Sequence, residues 1–259
     1  MSPPADDVAG FQPTARSRVR RRPQRARYDE ATVFALLDAG VMAHVGYVLD
    51  GQPFVTPTAY WREGRRLYWH GAAASRMLRT VAEGTPVCVT VSFLDGFIVG
   101  RSGFIHSLNY RSVMAFGRAR PVEDPAAKRR AMDAFIDRLY AGRSVKLRPA
   151  TDGELAQTSL VAMEIEEASA KVRETGVADL PADAGWAAWC GVFPVETRIG
   201  TPRPEPGMGL GGNPTPDLAP YREGARLDAA LGEAAVRAAG GAAAGAAVRA
   251  QASPSPRSA

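Results

Sequence analysis

The feature that most constrains this chain is a succession of short β-prone runs joined by two-residue turns. Val41 to Val48 is β-rich, Asp50-Gly51 follows, and Gln52 to Trp61 reads as the return strand. Asp-Gly between two apolar runs is a strong hairpin signal, because both residues tolerate the positive φ of a tight turn. Glu63-Gly64 supplies another turn and Arg66 to His70 a third strand. Pro86 to Phe93 is mostly apolar and reads as a fourth strand buried on both faces. Asp95-Gly96 then turns into Phe97 to Gly100 as a fifth, and a sixth runs to about Val122. Connections this short join antiparallel neighbours, so an antiparallel sheet or barrel is expected. Ser159 to Ile165 is a last clear strand leading into Ser169 to Arg173, and Trp186 to Pro194 is a candidate edge strand.

Helices punctuate this pattern. Asp29 is a good N-cap before Val33, Leu36 and Leu37 at helical spacing, with Gly40 at the end. Ser75 precedes a helix from Arg76 to Glu83 whose buried face is Met77, Leu78 and Val81. Asp124-Pro125 is an N-cap followed by a first-turn proline, and Met132, Phe135, Ile136 and Leu139 mark the face of the helix behind it. Asp152 to Gln157 reads as a short helix.

The two ends differ from this middle. Seven arginines fall between Arg16 and Arg27, and they account for much of a net charge of +5. Residues 1–24 lack periodicity and read as a disordered basic arm; contact with nucleic acid or an anionic surface is the less favoured alternative. Residues 205–259 are rich in Pro, Gly and Ala and read as a disordered tail, in which Leu227 to Ala239 forms helix only transiently. That leaves 25–204 as the folded domain. The two cysteines, Cys88 and Cys190, form neither a disulfide framework nor a metal-ligand spacing, and no metal site is expected. No run of about 18 apolar residues indicates a membrane span, so a cytoplasmic location is expected.

Two polar clusters carry the chemistry. In His70-Gly71-Ala72-Ala73-Ala74-Ser75-Arg76, a hydroxyl and a guanidinium stand at a helix start. Unpaired backbone N–H groups and the helix dipole favour an anion there, so the turn suits a terminal phosphate. A plain Ser cap beside a solvent-facing Arg remains the alternative. In the second cluster, His106, Asn109, Tyr110, Arg111 and Ser112 lead straight into the apolar run Val113 to Gly117. Asn and Ser there can match the edge of a heterocyclic ring, and Tyr can stack on it. The two clusters are read as one pocket. His70 and His106 border these clusters, whereas His44 alternates within a strand and reads as structural. Lys171 and Arg173 either serve a phosphate or decorate a strand end. The chain has neither the glycine fingerprint of dinucleotide-binding folds nor the G-x-S-x-G of α/β-hydrolases.

These motifs resemble the FMN-binding split-barrel superfamily of pyridoxamine 5′-phosphate oxidase, in its flavin-nucleotide-binding, nitroimidazole-resistance-type branch. The likeness runs from about residue 25 to 205 and is carried by Gly51 to Val55, Leu67 to Arg76, Val87 to Val91, His106 to Val113, Phe116-Gly117, Ser169 to Arg173 and Gly191 to Pro194. It implies a mainly β fold with flanking helices: a six-stranded antiparallel split β-barrel, a homodimer, with FMN near the subunit interface. By motif position it implies that Ser75 and Arg76 hold the phosphate, that Trp69 and His70 line the flavin, and that Arg111 and Ser112 border the ring. It further implies an FMN-dependent oxidoreductase acting on a small molecule, with a non-catalytic flavin-binding module or a haem-binding protein on the same barrel as alternatives. Ile105 stands where the branch often has a second histidine, and Leu108 where it commonly has methionine. No catalytic residue is assigned.

Overall fold

The computed structural model describes residues 9–207 and 214–251. The strands are β1 (Ala26–Arg27), β2 (Met42–Leu49), β3 (Gln52–Glu63), β4 (Arg66–Ala72), β5 (Pro86–Val99), β6 (Ser107–Pro121), β7 (Thr158–Glu164), β8 (Glu167–Arg173) and β9 (Gly191–Pro194). All pair antiparallel, and six of them close a ring in the order β2-β3-β4-β7-β6-β5. The expected six-stranded antiparallel split barrel is the observed fold.

The split comes from two long strands. Along one edge of β6, residues 110–116 pair with β8 and residues 119–121 with β7. Along one edge of β5, residues 88–90 pair with β2 and residues 96–99 with β9. Each long strand therefore leaves the ring and serves an outer layer. β5 is continuous through Asp95-Gly96, where a hairpin turn was expected; the register shifts there instead. A Cβ on Gly96 would lie 2.9 Å from the Phe193 carbonyl oxygen, so the glycine serves the close approach of β9. The Asp50-Gly51 turn is as expected, with φ of 51° and 77°.

Among the described residues five α-helices pack around the barrel: α1 (Glu30–Asp38), α2 (Arg76–Ala82), α3 (Pro125–Leu139), α4 (Asp152–Gln157) and α5 (Leu227–Gln251). Asp29 and Asp124 cap α1 and α3 by accepting from Thr32 and Ala127 backbone N–H groups, as their positions implied. Val33 and Leu37 of α1 and Met77, Leu78 and Val81 of α2 enter the barrel core with Val45, Leu67, Trp69, Val89, Val113 and Met163. α3 covers a second cluster on the outside of the ring, where Trp61, Tyr68 and Leu160 meet Phe135.

Both ends depart from expectation. The disorder expected of residues 1–8, 208–213 and 252–259 lies outside the described residues. Residues 9–24 instead dock: Phe11 is 3% exposed against the edge of Phe34, and its N–H donates to the Tyr28 carbonyl at 2.8 Å. Arg16 bonds Glu166 and Glu167, and the Tyr28 hydroxyl accepts from the Val19 N–H. The tail docks as well. Asp217 is buried and accepts from Arg143 (2.8 Å) and Lys146 (2.9 Å). Tyr221 donates to the Leu139 carbonyl, and Ala230, Leu231 and Ala234 are buried where α5 meets α3 and α1.

Candidate functional site

Alternation along β4 separates its two candidate residues, because successive strand side chains point to opposite faces. Trp69 points into the barrel and is fully buried, so it does not line a surface ligand as expected; its indole N–H has no partner in the structure. His70 points outward, with its ring 5.2 Å from Phe135 and 6.0 Å from Trp61. Its Nδ1 is buried without a partner, and burial holds its pKa below the ordinary value. Burial thus favours the neutral imidazole.

β4 ends at the turn that starts α2. Ser75 occupies the N-cap position, yet its hydroxyl caps no backbone N–H. Arg76 is exposed and lies over the Phe54 ring at 4.4 Å. Among the described residues Arg76 has no carboxylate partner, whereas Arg62, Arg65 and Arg66 on the neighbouring strands are each paired. A free guanidinium on an aromatic face, beside a hydroxyl not used for capping, is a donor set that fits a phosphate. Phe54 was missed from the sequence. It belongs to the Gly51–Val55 motif, but nothing in that motif says that its ring supports Arg76.

The second cluster divides by face. Asn109 and Arg111 point to the core side and are engaged. Asn109 is 7% exposed; its side chain donates to the Thr175 carbonyl (2.9 Å) and accepts from the Thr175 N–H (3.1 Å). Arg111 binds Asp95 through two nitrogens and Asp228 through Nη2, and lies over Phe93 at 4.8 Å. Its pKa is raised, chiefly by Asp95. Both residues, expected to bind a ligand, hold structure together. Tyr110 and Ser112 point the other way, onto the open sheet face. His106 is exposed, and its Nδ1–H donates to the Ser102 carbonyl at 2.9 Å, which leaves Nε2 free.

Along the β4–β7–β6 path the two clusters, which were expected to form one pocket, are well separated. The β4 end at His70 pairs with Leu160 of β7, whose neighbour Val161 pairs with Pro121 at the far end of β6. The second cluster lies nine residues or more back along that strand, a strand length of roughly 30 Å or more at about 3.3 Å per residue. Among the described residues no group of three or more His, Cys, Asp or Glu side chains is placed to hold a metal ion. Nor is any described helix long and apolar enough to cross a membrane.

The six strands and their flanking helices define a mainly β, antiparallel split barrel. Residues 29–172 match the family described as Pyridoxamine 5′-phosphate oxidase, and the chain belongs to that family. Among solved structures, the flavocytochrome Anf3 from Azotobacter vinelandii is 39% identical with a TM-score of 0.75, over 82% of this chain and 98% of that one. A FAD and haem binding protein from Mycobacterium smegmatis is 35% identical with a TM-score of 0.73, over 78% and 98%. No curated protein sequence matches the chain.

Proposed function

We propose that this protein is a cytoplasmic flavin-dependent oxidoreductase that binds FMN through Ser75 and Arg76 and acts on a small molecule. The observation that carries the reading is the Arg76 guanidinium, held on Phe54 and without a carboxylate, beside a Ser75 hydroxyl that caps nothing. Supporting it, the two similar structures named above are a flavocytochrome and a FAD and haem binding protein. The flavin supplies hydride or electron transfer; the chain's part is to fix the phosphate and bury the ring edge. Because Tyr110 and Ser112 sit far from Ser75 along one chain, they meet the flavin of a second subunit in a two-fold dimer. An absorbance spectrum of the purified protein tests the cofactor: flavin bands support the reading, and their absence from protein reconstituted with FMN or FAD defeats it. Bleaching of those bands by NADH or NADPH then separates an enzyme from a binding module.

One observation favours haem as a second group. His70 carries an unpartnered nitrogen between Trp61 and Phe135, and it is the residue that would hold a haem iron were that group bound. Haem reconstitution then gives a Soret band that His70→Ala removes while flavin content stays unchanged. A Soret band that survives His70→Ala rules His70 out.

A further inference from the structure

The docked N-terminal arm does something that its composition does not announce. Arg22 holds a left-handed backbone, φ 58°, and opens the one-turn helix Pro23–Arg25, which packs against β8. This brings Arg22 and Arg25 up to Arg173 at the end of β8. Their charges, added to the larger effect of burial, depress the Arg173 pKa. Arg173 is itself fixed, donating to the Ser107 hydroxyl and to the Thr175 hydroxyl. No carboxylate pairs with any of the three among the described residues, although Arg16, six residues before Arg22, is paired twice. Three guanidiniums brought together repel one another, and among the described residues the Tyr110 phenol near Arg173 offsets only part of that.

Ser107 links this cluster to a groove of about 430 Å³ lined by Phe97, Ile98, His106, Ser107, Leu108 and Phe193. Its walls are apolar, with Phe97, Leu108 and Phe193 each roughly half exposed. The free Nε2 of His106 is its polar point. We propose that this groove and the Arg22–Arg25–Arg173 cluster form a second binding site, which takes a planar ring in the groove and its phosphate on the arginines. Charge complementarity selects the anion, and the volume holds one ring system. A nucleic-acid surface would instead spread its cations along a row of phosphates. The site does not depend on a flavin at Ser75 and Arg76. Its ligand is either the second phosphate and ring of a dinucleotide flavin or a separate nucleotide such as a nicotinamide coenzyme.

Calorimetric titration of the full chain with inorganic pyrophosphate, NADPH, FMN and FAD tests this. Arg173→Ala, and separately Arg22→Ala with Arg25→Ala, weaken pyrophosphate about tenfold or more. Arg173→Lys restores part of the loss. The paired arm substitutions leave β8 untouched, so they report on binding even if Arg173→Ala lowers the melting temperature. A loss for FAD but not FMN assigns the site to the dinucleotide flavin; a loss for NADPH but neither flavin assigns it to a separate nucleotide. Wild-type pyrophosphate affinity in both variants overturns the proposal. An equal loss for FMN and FAD overturns it as a second site, and affinity that climbs with the length of a single-stranded oligonucleotide, beyond that for NADPH, replaces it with a nucleic-acid surface.

Discussion

At the scale of single residues, Arg76 and Asn109 differ in what their loss exposes. Arg76 is held only by Phe54, so Arg76→Ala removes a charge-assisted contact to ligand and little else. Such a bond contributes roughly 1.5–3 kcal/mol, which weakens FMN by about 10- to 150-fold. Riboflavin, without a phosphate, should bind both proteins alike; equal weakening of the two ligands in a fluorescence titration would show that Arg76 supports the fold instead. Asn109 makes two bonds to Thr175 from a buried position, so Asn109→Ala strands the Thr175 backbone groups. That should cost about 1–3 kcal/mol in a urea melt with flavin affinity unaltered. Residue type identified both as polar and interesting. What separated them was placement: Arg76 opens α2 at the surface, whereas Asn109 lies on the core-facing phase of β6, which depends on pairing that the motif does not contain. Trp69 and Arg111 face the core for the same reason, since one residue of phase reverses the face.

Elements were legible where the signal was local. Asp29 and Asp124 caps, the Asp50-Gly51 turn and the α2 core face all follow from contacts within a few residues. The docked ends did not, because their contacts are long-range. The buried face of α5 is Ala230, Leu231 and Ala234, small residues that give no conspicuous apolar stripe, and its anchors are Asp217 to Arg143 and Asp228 to Arg111. Removing residues 208–259 should therefore lower the melting temperature by at least about 5 °C, a value typical of losing about 2 kcal/mol from a domain of this size. An unchanged melt would mean that the tail does not dock in solution. Acid should release it too. The bond from Arg226, helped by Arg111 and outweighing burial, lowers the Asp228 pKa from 3.8 to about 2. A depressed carboxylate stabilises the fold fully above its unfolded pKa and loses that contribution as pH falls through the folded one. Asp228 thus contributes about 1–2 kcal/mol after screening at neutral pH, lost between about pH 4 and pH 2. Asp228→Asn should remove that part of the acid slope; parallel pH–stability curves for the two proteins would refute the assignment.

The whole molecule raises the question of what covers its open face. Met42, Val48, Val55, Leu94 and Met114 project from the same side of β2, β3, β5 and β6 and are 42–66% exposed. Tyr110 and Ser112 lie on that face too, so a two-fold dimer would bury the apolar side chains and carry the second cluster to the partner's Ser75 turn in one step. Light scattering should then give about twice the 27.5 kDa of one chain. Mass alone does not show that the site is shared, but mixing does. Arg76→Ala lacks one half of the proposed site, and Tyr110→Ala with Ser112→Ala lacks the other. If both halves belong to one chain, no mixture of the two proteins binds FMN tightly. If they meet across the dimer, random exchange of subunits makes half the dimers mixed, and each mixed dimer has one intact site. About a quarter of all sites should then recover wild-type affinity. A monomer that binds flavin tightly, or a mixture that recovers nothing after demonstrated exchange, would confine the site to a single chain.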